Sequence, residues 1–322
     1  MRWVDVPDGP RLSKIGLGTW QFGSREWGYG ADYVEGAGRL VRRAAELGVT
    51  LIDTAEVYGF GRSERIVGAA LDGMREQMVV ATKLFPLLPA APVVEQRAVA
   101  SAGRLGVRRL DLYQVHQPNP LVRDTTTMRG MRTLQDIGVV GEVGVSNYPL
   151  ARWRAAEAAL GRRVLSNQVQ YNLVTLAPER DLIPYAAEQD RVVIAYSPLA
   201  QGLLSGRYDA DHRPAGAVRS ANPLFLPENL RRAAPLLDVL REVADAHELH
   251  PAQIALAWTI RHPQVVAIPG ASSLEQLESN AAAADVDLAA DEVAALDTAA
   301  RAFHPVTGLR ALPRLARSRL HR

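Results

Sequence analysis

Short runs of β-branched and apolar residues alternate along this chain with longer stretches in which apolar residues recur three or four positions apart. The first pattern fits buried strands and the second amphipathic helices, and their alternation is that of βα units laid around a parallel sheet. Eight strand candidates emerge, at 15–19, 50–55, 78–83, 110–115, 141–146, 164–168, 191–197 and 265–270. Helical periodicity fills 38–47, 64–71, 93–105, 125–137, 150–160 and 181–188. Two features break the rhythm: a long segment, 201–227, after the seventh strand, and two successive helices, 228–247 and 251–261, before the eighth. Further helices at 273–284 and 291–301 follow without a composition shift that would mark a linker.

This pattern predicts an α/β fold of the (β/α)8 TIM-barrel type with a long loop after the seventh strand and extra C-terminal helices. A chain of 322 residues is long enough for two average domains, but such barrels occupy about 250 residues or more as one unit. The expectation is therefore one domain over 1–322, its end (302–322) an arginine-rich tail. With 48% hydrophobic and 22% charged residues, the composition is that of an ordinary globular protein.

The absence of cysteine excludes disulfides, thiolate metal sites and cysteine nucleophiles, and fits a reducing, cytoplasmic setting. Residues 1–14 carry acidic residues and prolines where a secretory signal would need an apolar core, and no later run reaches about 18 apolar residues. Neither export nor membrane insertion is expected. The net charge of +2 comes almost wholly from dispersed arginine balanced by Asp and Glu. The exception is the tail, with Arg310, Arg314, Arg317, Arg319 and Arg322, read as a solvated extension and not as a nucleic-acid surface.

Imposing the strand register on the sequence sends polar side chains to strand C-terminal ends. Asp53, Lys83, His116, Ser146, Gln168 and Tyr196 terminate the second to the seventh strands, which places six polar groups on one rim. In a (β/α)8 barrel that rim carries the active site. Lys83 stands out because only one other lysine, Lys14, occurs in a chain that otherwise uses arginine. A compact ammonium whose proton affinity responds to burial suits a buried, chemically specific cation.

Asp53 precedes Tyr58 by five residues in Asp-Thr-Ala-Glu-Val-Tyr-Gly, so a carboxylate and a phenol can share that ammonium. An adjacent cation is expected to lower the phenol from its usual pKa near 10 and make Tyr58 a proton donor. Of the seven histidines, His116 alone falls at a strand end, where it can donate to a carbonyl oxygen or relay a proton. Trp20, Trp27, Tyr29 and Phe85 are candidates for an apolar pocket wall beside Tyr58 and His116.

At these residues the chain resembles the aldo-keto reductases. The resemblance rests on Gly-Leu-Gly-Thr-Trp at 16–20, the Asp53 to Gly59 motif, the lysine after Val-Val-Ala-Thr, Asp-Leu-Tyr-Gln-Val-His at 111–116 and Gly-Val-Ser-Asn at 144–147, in the family's order. It runs from Ile15 to about Arg301. It implies a catalytic tetrad of Asp53, Tyr58, Lys83 and His116, and NADPH as cofactor. Gly18, Thr19, Trp20 and Asp53 would contact the cofactor, with the nicotinamide carboxamide held by Ser146, Asn147 and Gln168 and the ring stacked on Tyr196. Ser197, Pro198, Leu199 and Gly202 would line the pyrophosphate, with Gln201 a further cofactor contact.

The stretch 195–207 is similar to the family branch of potassium-channel beta subunits and bacterial relatives, in which basic loop residues, here Arg207 and Arg219, reach over the cofactor. Gly270, Ser272, Gln276 and Asn280 would receive the adenosine end. The chain departs from the aldose-reductase branch by having Gly270 and Gln276 where a lysine and an arginine bind the 2′-phosphate, and Ser279 where glutamate is common. NADH therefore remains open beside NADPH. The expected partner is a small-molecule carbonyl, with no metal. No Gly-x-Gly-x-x-Gly sits between a strand and a helix, so a Rossmann domain is not expected. Two other functions fit parts of the pattern: a slow cofactor-binding sensor, and a lyase in which Lys83 forms a Schiff base.

Overall fold

The computed structural model describes residues 1–23, 31–311 and 313–314. Trp27, Tyr29 and the tail arginines Arg317, Arg319 and Arg322 lie outside these residues. The chain opens with an antiparallel hairpin, β1 (Trp3–Asp5) and β2 (Arg11–Ser13). Eight parallel strands follow: β3 (Leu17–Gly18), β4 (Leu51–Asp53), β5 (Val79–Leu84), β6 (Leu110–Val115), β7 (Val140–Ser146), β8 (Ser166–Gln170), β9 (Val192–Tyr196) and β10 (Val265–Ala267). Each pairs with its sequence neighbours. The sheet closes on itself where Gly16 N donates to Ala267 O at 2.8 Å, Ala267 N to Lys14 O at 2.9 Å and Gly18 N to Pro269 O at 3.0 Å. The result is the (β/α)8 barrel.

The helices wrap the outside. α1 (Ala31–Glu46), α2 (Arg62–Ala70), α3 (Ala91–Leu105), α4 (Asp124–Asp136), α5 (Leu150–Leu160) and α6 (Leu182–Glu188) each return the chain to the next strand. The segment predicted as a long loop, 201–227, contains two 3₁₀ turns and the short helix α7 (Ala217–Ser220). α8 (Pro227–Ala246), α9 (Pro251–Thr259), α10 (Leu274–Ala282) and α11 (Ala290–Ala302) complete the chain's helical shell. The predicted sixth strand is displaced by two residues, so Gln168 lies within β8 and not at its end.

Two apolar cores hold this arrangement. The larger lies between strands and helices, and contains the fully buried Trp153 and Trp258. The smaller lies inside the barrel, where Leu51, Ala81, Leu112, Leu165, Val192 and Ile194 meet Val4, Val6 and Leu12 of the hairpin. The hairpin therefore plugs the N-terminal mouth.

Strand alternation then dictates what lies above that plug, because residues two apart share a face. Leu51 is followed on its face by Asp53, Ala81 by Lys83, Leu112 by Gln114, Gly144 by Ser146, Ser166 by Gln168 and Ile194 by Tyr196. Along β4, β5, β6 and β9 that step changes the barrel interior from apolar to polar, and in β7 and β8 it runs from Gly144 and Ser166 to Ser146 and Gln168. The chain's other lysine serves the opposite end: Lys14 Nζ donates to the carbonyls of Ile260, His262, Pro263 and Val265 at 2.5 to 3.1 Å, tying β10 to the end of α9.

Candidate active site

Lys83, the centre of the polar layer, is fully buried, and its ammonium makes three contacts. It donates to Asp53 Oδ2 at 2.6 Å, to Thr54 O at 2.8 Å and to the Tyr58 hydroxyl at 3.2 Å. Three donors meet three acceptors, which leaves no lone pair or open approach for a Schiff base with substrate. Asp53 is held from its other side by Gln168 Nε2 at 2.7 Å. Its carboxyl is raised above its ordinary value because burial outweighs the pull of Lys83 and of its amide neighbours. For Lys83, burial acts downward, but Asp53 and Tyr58 together outweigh it and raise the ammonium.

Tyr58 corrects one expectation. Its hydroxyl sits beside Lys83 as anticipated, yet its pKa is raised, not lowered. Burial is the largest effect, Asp53 adds to it, and Lys83 only partly offsets them. Proximity to a cation could be read from the sequence; the depth of burial could not.

The loop that presents Tyr58 is shaped by three consecutive left-handed residues, Gly59, Phe60 and Gly61 (φ 57°, 54° and 80°), which turn the chain into α2. Phe60 adopts this conformation without glycine's freedom and projects outward, 94% exposed. Below the loop, Glu56 accepts from Phe85 N at 2.5 Å and from Arg97 Nε at 3.0 Å. That carboxylate ties the Tyr58 loop to the end of β5 and to α3.

His116 follows β6, its ring edge-on to Tyr58 at 5.9 Å between centroids and to Phe85 at 6.5 Å. Burial, helped by the Lys83 charge, pushes it down to about 3, so the imidazole is neutral in the physiological range. Trp20 stacks toward Tyr58 at 6.4 Å.

These groups face a cleft of about 940 Å³ at the C-terminal mouth of the barrel. Among the described residues it is lined by Gly18, Trp20, Asp53, Tyr58, His116, Ser146, Asn147, Gln168 and Tyr196 at one end. It continues past Ser197, Pro198, Leu199, Gln201, Gly202, Arg207 and Arg219 to Gly270, Ser272, Gln276 and Asn280. Lys83 lies beneath the lining. Phe85 stands beside His116, 41% exposed, and is not part of the cleft wall. Thr19 is also absent from the lining: its buried hydroxyl donates to Asp53 O at 2.8 Å and pairs with Ser63 Oγ at 2.7 Å, so its position is structural.

Several polar groups of the cleft bind one another. Ser146 Oγ donates to Gln168 O at 2.9 Å, Asn147 Nδ2 to Ser146 Oγ at 3.0 Å, and the Tyr196 hydroxyl to Asn147 Oδ1 at 3.0 Å. The next segment is strained: Ser197, Ala200 and Gln201 have φ of 49°, 48° and 59°. Asn172 Nδ2 holds Ser197 O at 2.9 Å, while Arg219 Nε and Asn222 Nδ2 hold Gln201 O and Oε1 at 3.1 and 3.0 Å. Gln276 Oε1 accepts from Ser272 N and Oγ at 3.0 and 2.8 Å, next to the N-terminus of α10.

Gln21, Gln117, Tyr208, His250 and Glu275 also line the cleft and were not among the predicted residues. Gln21 carried a usable signal, because it directly follows the Gly-Thr-Trp motif. The others come from loops and helix ends whose folding over the rim has no periodic trace.

The barrel and its rim place the chain in a family. Residues 14–301 match the aldo/keto reductase family model, and the chain belongs to that family of NAD(P)H-dependent oxidoreductases. It is 57% identical over 323 residues to an uncharacterised oxidoreductase of Mycobacterium tuberculosis, with all of both chains covered. It is 34% identical over 289 residues to the methylglyoxal reductase of Escherichia coli, covering 89% of this chain and 91% of that one. An aldo/keto reductase from Klebsiella pneumoniae in complex with NADP and acetate superposes with a TM-score of 0.76 at 31% identity, covering 95% of this chain and 96% of the other.

Proposed function

We propose that this protein reduces a small aldehyde or ketone to the alcohol, with NADPH as the reductant and Tyr58 as the proton donor. The observation that carries the reading is the buried chain of contacts from Asp53 through Lys83 to the Tyr58 hydroxyl, opening on a cleft beside a neutral His116.

The residues present fit a dinucleotide. The cleft is long enough to take one together with a small substrate, and its middle section is a strained turn that presents backbone groups. At Gly270 the absence of a β-carbon leaves room for the Gln21 side chain, which lines the same cleft. Gln168 and the Ser146–Asn147 pair would hold the carboxamide, Tyr196 the ring face, Arg207 and Arg219 the phosphates, and Ser272, Gln276 and Asn280 the adenosine end. Bound there, the cofactor supplies the hydride.

The protein's own part is to bind, orient and protonate. Charge developing on the carbonyl oxygen is met by the Tyr58 hydroxyl, which gives up its proton, and by the His116 ring, which donates as neutral imidazole. Lys83 stabilises the phenolate left behind, and Asp53 keeps Lys83 in place. Burial raises Tyr58, so the phenol stays protonated at neutral pH, which favours reduction over alcohol oxidation. The Klebsiella complex with NADP supports NADPH. Against it, α10 offers no cation to a 2′-phosphate and places Glu275 in the cleft, so the discriminating charge would have to come from the opposite wall.

The test is consumption of NADPH, beside NADH, with a panel of aldehydes and ketones, in the wild type and in Tyr58→Phe. Turnover lost in the variant while cofactor binding persists supports both the reaction and the donor. Tight NADPH binding with no wild-type turnover on any carbonyl would replace this reading with a cofactor sensor.

A further inference from the structure

Gln114 lies in the polar layer of the barrel, between the strand of Lys83 and that of Gly144. Lys83, Gln114, Gly144 and Ser166 are register partners across β5, β6, β7 and β8. The Gln114 side chain is fully buried. Its Oε1 accepts from Ser166 Oγ at 3.2 Å, whereas its Nε2 has no partner at hydrogen-bonding distance. A buried amide donor left without an acceptor is costly and uncommon, so what lies in front of it matters. It shares the polar layer of the barrel with the Asp53 carboxylate, being the register partner of the lysine that holds that carboxylate, and its amide acts on Asp53 in favour of the charged form.

Two further points bear on the role of this amide. Turning the amide over would set its oxygen against the Asp53 carboxylate, two acceptors face to face, so the donor must point at Asp53. Gly144 also leaves the space that the side chain uses: a β-carbon at that position would collide with Ser166 Oγ and stand 2.8 Å from Gln114 Cγ. The absence of a side chain on β7 is what lets a long one on β6 reach across.

We propose that Gln114 is a positioning residue: with Gln168 on the other side, its amide keeps the Asp53 carboxylate ionised and aimed at Lys83, and thereby sets the acidity of Tyr58. The inference rests on the reading of Asp53, Lys83 and Tyr58 as one proton-donating unit. Gln114 is not among the residues that line the cleft. Without its donor, Asp53 turns or takes up a proton more readily, the Lys83 charge is less neutralised, and Tyr58 ionises more easily. A carboxylate at the same position does the opposite, because added negative charge disfavours the phenolate.

The experiment compares Gln114→Met, which keeps the shape and removes the donor, with Gln114→Glu, which keeps the shape and adds charge. The readout is titration of Tyr58, taken as the tyrosinate absorbance that disappears in Tyr58→Phe, with melting and NADP⁺ binding as checks on the fold. We expect Gln114→Met to move the Tyr58 titration to lower pH by roughly one unit, a tenfold change in its ionisation constant, and Gln114→Glu to move it upward. The alkaline limb of kcat should move in the same two directions.

No shift in either variant, or the same direction in both, would overturn the assignment and make Gln114 a packing residue. If Gln114→Met does not fold, the Gln114→Glu shift decides alone: upward supports, and none overturns. The titration needs no turnover. A wild type that reduces no carbonyl would defeat the reading of Tyr58 as proton donor, yet the role of Gln114 would still be tested.

Discussion

The Lys83 ammonium and the Asp53 carboxylate are 2.6 Å apart with side chains 0% and 3% exposed, so each is the other's main compensation for being buried. Breaking such a pair from one side leaves an uncompensated charge, at a cost of about 3–5 kcal/mol. Lys83→Met should lose stability on that scale in denaturant unfolding. It should also lose carbonyl reduction by about 10²-fold or more, since Tyr58 loses the cation that supports its phenolate. Asp53→Asn combined with Lys83→Met should regain much of the stability and none of the activity. Equal stability of the single and double variants would show that the charges are not a coupled pair.

The pH dependence follows from two groups moved in opposite directions. His116 is pushed down to about 3 and Tyr58 is raised above its ordinary 10, so neither changes charge between them. The kcat of carbonyl reduction should be flat through neutrality and fall only on the alkaline side, as the phenol ionises. Stability carries the opposite signature. The unfolded His116 takes up a proton below about 6.5 while the native one stays neutral, so native stability is lost as pH falls from 6.5 toward 3. His116→Asn should therefore show a shallower fall of melting temperature over that range. An inflection of kcat near pH 6.5 that disappears in His116→Asn would contradict the assignment.

Asn172 is fully buried and bridges Val174 N to Ser197 O, at 3.0 and 2.9 Å. Ser197 begins the strained turn, and strain of this kind costs about 1–3 kcal/mol unless its surroundings hold it. In Asn172→Ala the turn is free to relax before cofactor binds and must be rebuilt on binding. NADP⁺ affinity should fall roughly tenfold, about 1.4 kcal/mol, while kcat at saturating cofactor changes little. An unchanged dissociation constant would mean that the turn is held by Arg219 and Asn222 without Asn172.

The barrel was legible because most of its strands are buried on both faces and read as largely apolar runs, above which period-two alternation marks the candidate rim residues. β8, Ser-Asn-Gln-Val-Gln, is buried but carries one apolar residue, and it is the strand that the pattern displaced by two positions. The same alternation could have revealed Gln114, two residues after Leu112, but within a strand a glutamine carries no signal of its own. The N-terminal hairpin went unread because each strand is three residues long around Pro7, Asp8, Gly9 and Pro10, too short for a period to register. The direction of the Tyr58 shift was beyond the sequence for another reason. It depends on how much protein covers the phenol, and cover is assembled from elements distant in the chain.

Packing between the outer helices gives a last prediction, in which two effects of the same substitution oppose each other. Gly68 in α2 meets the backbone of α3 so closely that a β-carbon would stand 2.5 Å from Leu105 O and 2.9 Å from its Cα. Gly103, exposed in α3, would place its β-carbon in open space, with nothing within 4 Å. Replacing a helical glycine by alanine gains about 0.5–1 kcal/mol of backbone entropy. Overpacking against a neighbour that cannot yield costs about 1–3 kcal/mol. At Gly103 only the gain applies, so Gly103→Ala should raise the melting temperature. At Gly68 the obstacle is backbone, which no rotamer change relieves, so Gly68→Ala should lower it despite the better helix former. Thermal unfolding of the two variants side by side checks the argument, and a stabilised Gly68→Ala would mean that α2 and α3 do not approach as closely as this contact requires.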